Sequence, residues 1–186
     1  MEKLLLVGAG GFGRVVLEHA SQQYACAFLD DGEATLIDGV PVIGKTSDMA
    51  FFYPEYKFLL VTIGNNELRE RLYKEAATIG FTFPKIIHPS AYVSPHAHIG
   101  TSCMILNNAV GKNNSRCGDR RILNPSVELY HHSTIACYCV IYTNSEVRSL
   151  TLGGICVWIE STVTISTLVV VPDDATIEDG EIDHAG

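Results

Sequence analysis

The sequence predicts a small parallel α/β domain over residues 1–84 followed by a β-solenoid over residues 85–186. Three observations carry that prediction. Every sixth residue from 87 to 177 is aliphatic at thirteen of sixteen positions, broken only by Gly111, Cys117 and Gly153. Four residues after each of these, fourteen of sixteen positions are small or β-branched, the exceptions being Arg121 and Glu181. The first 84 residues instead alternate short apolar runs with helical patterns, and a glycine cluster follows the first run.

A period of six fits neither an α-helix nor a flat alternating strand. It fits coils of short strands, each giving one inward aliphatic, with a small residue tucked near each corner. Ninety residues separate positions 87 and 177, fifteen hexads without an inserted loop, or about five triangular coils of eighteen residues. Asn107, Asn108, Asn113 and Asn114 read as corner residues, where tolerance of left-handed backbone is useful. His96 and His98 flank an interior Ala97 and should point outward.

In the first domain, residues 4–7 form a buried strand running into Gly8-Ala-Gly-Gly-Phe-Gly13, and residues 14–23 a helix. Strands follow at 25–29, ending on Asp30 and Asp31, at 40–43, and at 57–63, ending on Gly64 and Asn65. The helix at 67–79 places Leu68, Leu72, Ala76 and Ile79 on one face. Strand–helix–strand order implies a parallel sheet with right-handed crossovers.

Gly8, Gly10 and Gly13 satisfy G-x-G-x-x-G between a strand and a helix, with Gly11 inside the loop. Such a turn brings backbone N–H groups and a helix N-terminus close to a pyrophosphate. Asp30, about twenty residues on, is placed to accept hydrogen bonds from a base or ribose. Some 85 residues supply only one mononucleotide-binding half, so a smaller diphosphate fits better than a dinucleotide. For Asn65, ligand contact and simple helix capping are both open.

The net charge is −8, and after Arg148 there are seven acidic residues and no Lys or Arg. Nucleic acid is not an expected partner, because phosphate contacts need a basic surface. No apolar run approaches the roughly 20 residues of a membrane span, and the N-terminus enters a strand without a cleavage site, so a soluble cytoplasmic protein is expected. Cys103 and Cys139 occupy small-residue positions and Cys117 an aliphatic one, which reads as core packing. Cys137 and Cys139 make only a C-x-C, short of a zinc motif.

A half Rossmann-type domain before a hexapeptide solenoid resembles the bacterial sialic acid O-acetyltransferase and nucleotide-sugar N-acetyltransferase family, over nearly the whole chain. The resemblance rests on Val7-Gly-Ala-Gly-Gly-Phe-Gly-Arg-Val-Val16, Phe28-Leu-Asp-Asp31, Thr62-Ile-Gly-Asn65, Ile87-His-Pro-Ser-Ala-Tyr-Val93 and the hexads. It implies a Rossmann-like domain holding a UDP-sugar or related sugar nucleotide, a left-handed β-helix, a homotrimer, and acetyl-CoA as co-substrate between neighbouring β-helices. No metal is expected. The implied activity is transfer of acetyl to an amino or hydroxyl group of a UDP-linked or sialic-acid-type sugar, for surface glycan synthesis.

In the same resemblance, Asn124-Pro-Ser-Val-Glu-Leu-Tyr-His131-His132 stands where the family has a hexad asparagine and then a catalytic histidine with an acidic partner. His131 is thus the implied general base, with His132 in the partner's place. The implied substrate contacts are Gly8, Gly10, Gly11, Gly13, Asp30, Asp31, Gly64, Asn65 and Asn124. A base titrating near neutrality suits removal of the acceptor's proton as it attacks a thioester.

The chain departs from the pattern elsewhere. Val140 replaces a second histidine, Phe12 replaces a frequent one, and the closing Gly-x-Pro-Ala-Lys stretch is replaced by Ile182-Asp-His-Ala-Gly186. Hexad glycines survive only at Gly100, Gly118 and Gly154. Basic residues for CoA phosphates would come from Lys112, Arg116, Arg120 or Arg121 of a neighbouring copy. Two other readings stay open: a nucleotide-sugar-binding scaffold that has lost acyl transfer, and a metal-dependent solenoid enzyme needing three converging histidines.

Overall fold

A computed structural model describes residues 1–183 of the chain, with side chains to 181. It divides into two compact units, Met1–Pro84 and Lys85–Gly186.

The first unit is a five-stranded sheet in the order β3-β4-β2-β1-β5. The strands are β1 (Glu2–Val7), β2 (Tyr24–Leu29), β3 (Leu36–Ile37), β4 (Val40–Gly44) and β5 (Phe58–Val61). β1 lies between β2 and β5, parallel to both, and Leu4, Leu5, Leu6 and Val7 are fully buried. That explains an apolar run without alternation, since both faces of a central parallel strand are covered. β3 pairs antiparallel with β4 through the turn Asp38-Gly39, both at positive φ. The Asp-Gly pair suits such a two-residue hairpin turn.

Helix α1 spans Gly11–Ala20, earlier than the expected 14–23, because the glycine loop itself forms the first turn. Its far end is set by Tyr24, which pairs with Glu2 and leaves residues 21–23 to make the turn. Helix α2 spans Asn66–Ile79 and ends on Gly80 in left-handed conformation (φ 112°), whose N–H caps the Ala76 carbonyl. Its buried stripe is Arg69, Leu72, Tyr73 and Ala76, with Leu68 and Ile79 only half-buried. The helix is rotated from the purely apolar face because Arg69 and Tyr73 have backbone partners. The Tyr73 hydroxyl accepts the Val61 N–H at 3.1 Å.

Among the described residues the second unit has seventeen two-residue strands, one every six residues from Ile86–Ile87 to Ile182–Asp183. They form the three faces of a left-handed β-helix. Each strand pairs in parallel with the strand eighteen residues away, as Glu128 with Glu146 and Leu129 with Val147. Leu123, Leu129, Ile135, Ile141, Val147, Ile159 and Ile165 fill the axis, and Ser115, Ser133, Ser145 and Thr151 are buried at the corners beside them. Residues 102, 108, 114 and every sixth one to 174 turn the chain with φ near +60°; Asn108, Asn114 and Asn144 suit this, whereas Tyr138, Leu150 and Leu168 pay a steric cost. His96 and His98 are exposed.

Candidate functional site

The glycine loop joins β1 to α1. Gly8 holds φ +107°, and a Cβ there would lie 2.7 Å from Ile63 Cγ1. A Cβ on Gly13 would come within 2.1 Å of the Gly8 carbonyl oxygen. These two glycines are therefore demanded by the chain's own packing. Gly10 and Gly11 are not: a Cβ on either would meet nothing within 4 Å. Their bareness opens a cavity of about 340 Å³ lined also by Phe12, Asp30, Asp31, Thr46, Thr62 and Gly64. Gly10 is the N-cap of α1, and no side chain caps that helix end. Uncapped first-turn amides at the positive end of a helix form an anion seat.

The cavity walls are held by internal bonds. Asp30 accepts the Ala9 N–H at 2.7 Å through one carboxylate oxygen and the Gly32 N–H at 2.9 Å through the other. Asp31 accepts the N–H and hydroxyl of Thr46, and those two bonds hold its carboxyl below the usual range. Thr62 donates its hydroxyl to the Gly8 carbonyl at 2.6 Å. Asn65 is the N-cap of α2, its Oδ1 accepting the Leu68 N–H at 2.8 Å, and it is absent from the cavity lining.

Thr46 and Arg69 are absent from the candidates the sequence offers, and Thr62 enters there only within the Thr62-Ile-Gly-Asn65 motif. Fully buried Arg69 donates to the Ile63 and Gly64 carbonyls and to Asn66 Oδ1, which tethers the loop after β5. No local pattern announces it, because an arginine beside a helix's apolar stripe ordinarily faces water.

On the β-helix, His131 and His132 occupy an exposed corner, with His132 at φ +60°. Their Nδ1 atoms are 3.1 Å apart and the rings meet edge to face. His131 Nε2 lies 2.9 Å from Ser149 Oγ, one coil on, and His132 Nε2 lies 3.3 Å from Asn114 Nδ2, one coil back. A tautomer with His131 Nδ1–H donating to His132 Nδ1 leaves His131 Nε2 as an acceptor for the Ser149 hydroxyl; His132 then carries its proton on Nε2, and the Asn114 amide is turned so that its Oδ1 accepts it. His132 then does for His131 what a carboxylate would, without the charge. Ser149 was missed, although adding one eighteen-residue coil to 131 points to it.

Asn124 lies one side of the coil before this corner, and its amide donates to the Ile141 carbonyl at 3.0 Å. Val140, which stands where the family pattern has a second histidine, is buried. Of the four basic residues considered for CoA, Arg116 is exposed, Lys112 pairs with Glu128, and Arg120 donates to the Tyr138 hydroxyl at 2.6 Å. Arg121 has to be withdrawn: it is fully buried at an interior corner and unable to meet a ligand phosphate. His184 and the rest of the closing stretch, residues 184–186, lie outside the described residues. Among the described residues no three His, Cys, Asp or Glu converge as metal ligands, and no helix is long and apolar enough to cross a membrane.

Residues 3–76 match the family described as the PglD N-terminal domain. The chain is 31% identical over 115 residues to UDP-N-acetylbacillosamine N-acetyltransferase of Bacillus subtilis (strain 168), a match covering 57% of this chain and 52% of that protein. It thus spans about half the length of that curated relative. Among solved structures, the acetyltransferase domain of PglB from Neisseria gonorrhoeae FA1090, in complex with acetyl coenzyme A, aligns with TM-score 0.75 and 31% identity, covering 94% of this chain and 95% of that one. A mutant perosamine N-acetyltransferase from Caulobacter crescentus, in complex with CoA and GDP-perosamine, aligns with TM-score 0.79 over 98% of this chain and 91% of that one. At 23% identity that second likeness is one of fold.

Proposed function

The chain belongs to the nucleotide-sugar N-acetyltransferase family, and from that membership we propose that it moves acetyl from acetyl-CoA to an amino group of a nucleotide-linked sugar. The observation that carries the reading is the exposed corner in which His131 is held through Nε2 by Ser149 and through Nδ1 by His132. In this scheme Nε2 takes a proton from the acceptor amine as its nitrogen attacks the thioester carbonyl. The tetrahedral intermediate then expels the CoA thiolate, which recovers that proton from the imidazolium. Holding amine and thioester together supplies much of the remaining rate.

The cradle around Gly10 and Gly11 is the proposed seat of the sugar nucleotide's diphosphate, with Asp30 and Asp31 beside it and Gly64 across from it. A UDP-sugar is the occupant we favour, and a cytoplasmic homotrimer the assembly, its neighbouring β-helices flanking acetyl-CoA. Exposed Arg116 is the basic side chain best placed for a CoA phosphate. Surface glycan synthesis is the process such a product would serve.

Buried Val140 and the acidic coils after Arg148 favour a second reading, a sugar-nucleotide-binding scaffold without acyl transfer. Calorimetry on the intact protein separates them. The enzyme reading expects both a UDP-amino-sugar and acetyl-CoA to bind; the scaffold reading expects the sugar nucleotide alone.

A further inference from the structure

Eighteen-residue coils stack Cys103, Arg121 and Cys139 in one interior corner of the β-helix, and Cys117 lies beside them on the same coil as Arg121. Arg121 is fully buried with no well-formed hydrogen bond at any guanidinium nitrogen, and the group its side chain approaches as a donor is the Cys117 thiol. A guanidinium stays charged at any pH a protein survives, and a buried charge without a counter-charge is strongly destabilising. The ionisable groups packed around it are thiols. Cys103 Sγ and Cys117 Sγ are 3.9 Å apart, within reach of a disulfide after a side-chain rotation.

We infer that Cys117 is the thiolate counter-ion of Arg121, and that a hydroperoxide converts Cys117 and Cys103 into a disulfide within the β-helix. The Cys117 thiolate attacks one peroxide oxygen and the O–O bond breaks. Cys117 becomes a sulfenic acid, and the other oxygen leaves as alcohol or water after taking a proton. Cys103 then loses its thiol proton and attacks the sulfenic sulfur, so that the S–S bond forms and the S–O bond breaks with release of water. Two thiols are oxidised by two electrons and one peroxide is reduced.

The local electrostatics agree with this order of events. The Cys103 hydrogen bond, and then the Arg121 charge, pull the Cys117 thiol down against the opposing effects of burial and Asp119. The same hydrogen bond and burial push Cys103 up, which suits a resolving thiol that stays protonated. An outer groove of about 350 Å³ runs along this wall, lined by Cys117, Gly100, Gly118 and Ala136, while Cys117 itself is buried. At Gly118 there is no side chain over the wall, and a Cβ there would sit 3.2 Å from Arg121 Nη2.

The test treats the intact reduced protein with hydrogen peroxide, quenches in acid, alkylates in denaturant and maps the peptides. A thiol-reversible Cys103–Cys117 link is expected, together with a dimedone adduct on Cys117 in a Cys103→Ser variant. Arg121→Met in that background should slow adduct formation at least tenfold. The proposal is overturned if Cys103 and Cys117 stay alkylatable while the half-buried Cys26, Cys137 and Cys156 have oxidised. It is equally overturned if Arg121→Met leaves the adduct rate unchanged. Should Arg121→Met not fold, the mapping in the parent protein and in Cys103→Ser decides alone.

Discussion

The imidazole of His131 meets the hydroxyl of Ser149 at 2.9 Å across one coil of the β-helix, eighteen residues along the chain. The opposite ring nitrogen of His131 is 3.1 Å from His132. The histidine is thus gripped on both sides by residues of its own solenoid, which orients an exposed side chain for the role of base proposed above. Ser149→Ala should leave folding intact and lower acetyl transfer less than fivefold, since a substrate amine takes over the hydroxyl's place at Nε2. Steady-state kinetics with thermal melts on the variant check this.

His132 orients His131 without supplying charge. His132→Ala should reduce kcat about tenfold with little change in KM, as expected for loss of orientation in the transition state. His132→Asp should recover the activity, because Asp tolerates the left-handed corner and accepts the His131 Nδ1–H. Equal activity in the Ala and Asp variants would remove the orienting role.

The glycines of the cradle separate by function. Gly13→Ala should destabilise the first unit severely, its Cβ falling 2.1 Å from a carbonyl oxygen. Gly10→Ala meets no protein atom, so its melting temperature should match the parent. Its affinity for a UDP-sugar should nevertheless fall about tenfold, equivalent to about 1.4 kcal/mol. Melts and calorimetry on the two variants check the contrast.

Asp31 couples stability to pH. Its carboxyl is held below the ordinary value by the Thr46 bonds, so its contribution is present above the unfolded carboxylate range, about 3.9, and fades as pH falls through the lower folded value. Asp31→Asn should therefore melt earlier than the parent at pH 7, and the gap should close towards pH 3.

The hexads were readable because each inward aliphatic repeats a single contact, so the register, the coil length and the corner asparagines all follow from one period. The first unit's strands were readable from apolar runs broken by glycine. The Asp38-Gly39 hairpin is likewise a turn signal in the sequence, between strands too short to show a pattern of their own. What could not be read locally depends on contacts between coils or between elements. Ser149 joins His131 only through stacking, Arg69 is buried only because three oxygens receive it, and Arg121 sits inside only because cysteines leave it room. A charge at a small-residue position looks like a lapse in the pattern until the coils are stacked.

The corners hold a further stability prediction. Leu150 and Leu168 take φ of 61° and 68° while half or more exposed, which costs a β- or γ-substituted residue about 1 kcal/mol relative to asparagine or glycine. Leu150→Asn and Leu168→Asn should each raise stability by about that amount, read from denaturant melts of the intact assembly.

The most direct test of the catalytic assignment is release of free CoA thiol from acetyl-CoA in the presence of a UDP-amino-sugar, comparing the parent with His131→Ala. The expected result is sugar-dependent release that falls about 10²–10⁴-fold in the variant while its affinity for the sugar nucleotide is unchanged. Release that continues at the parental rate in His131→Ala would contradict the account.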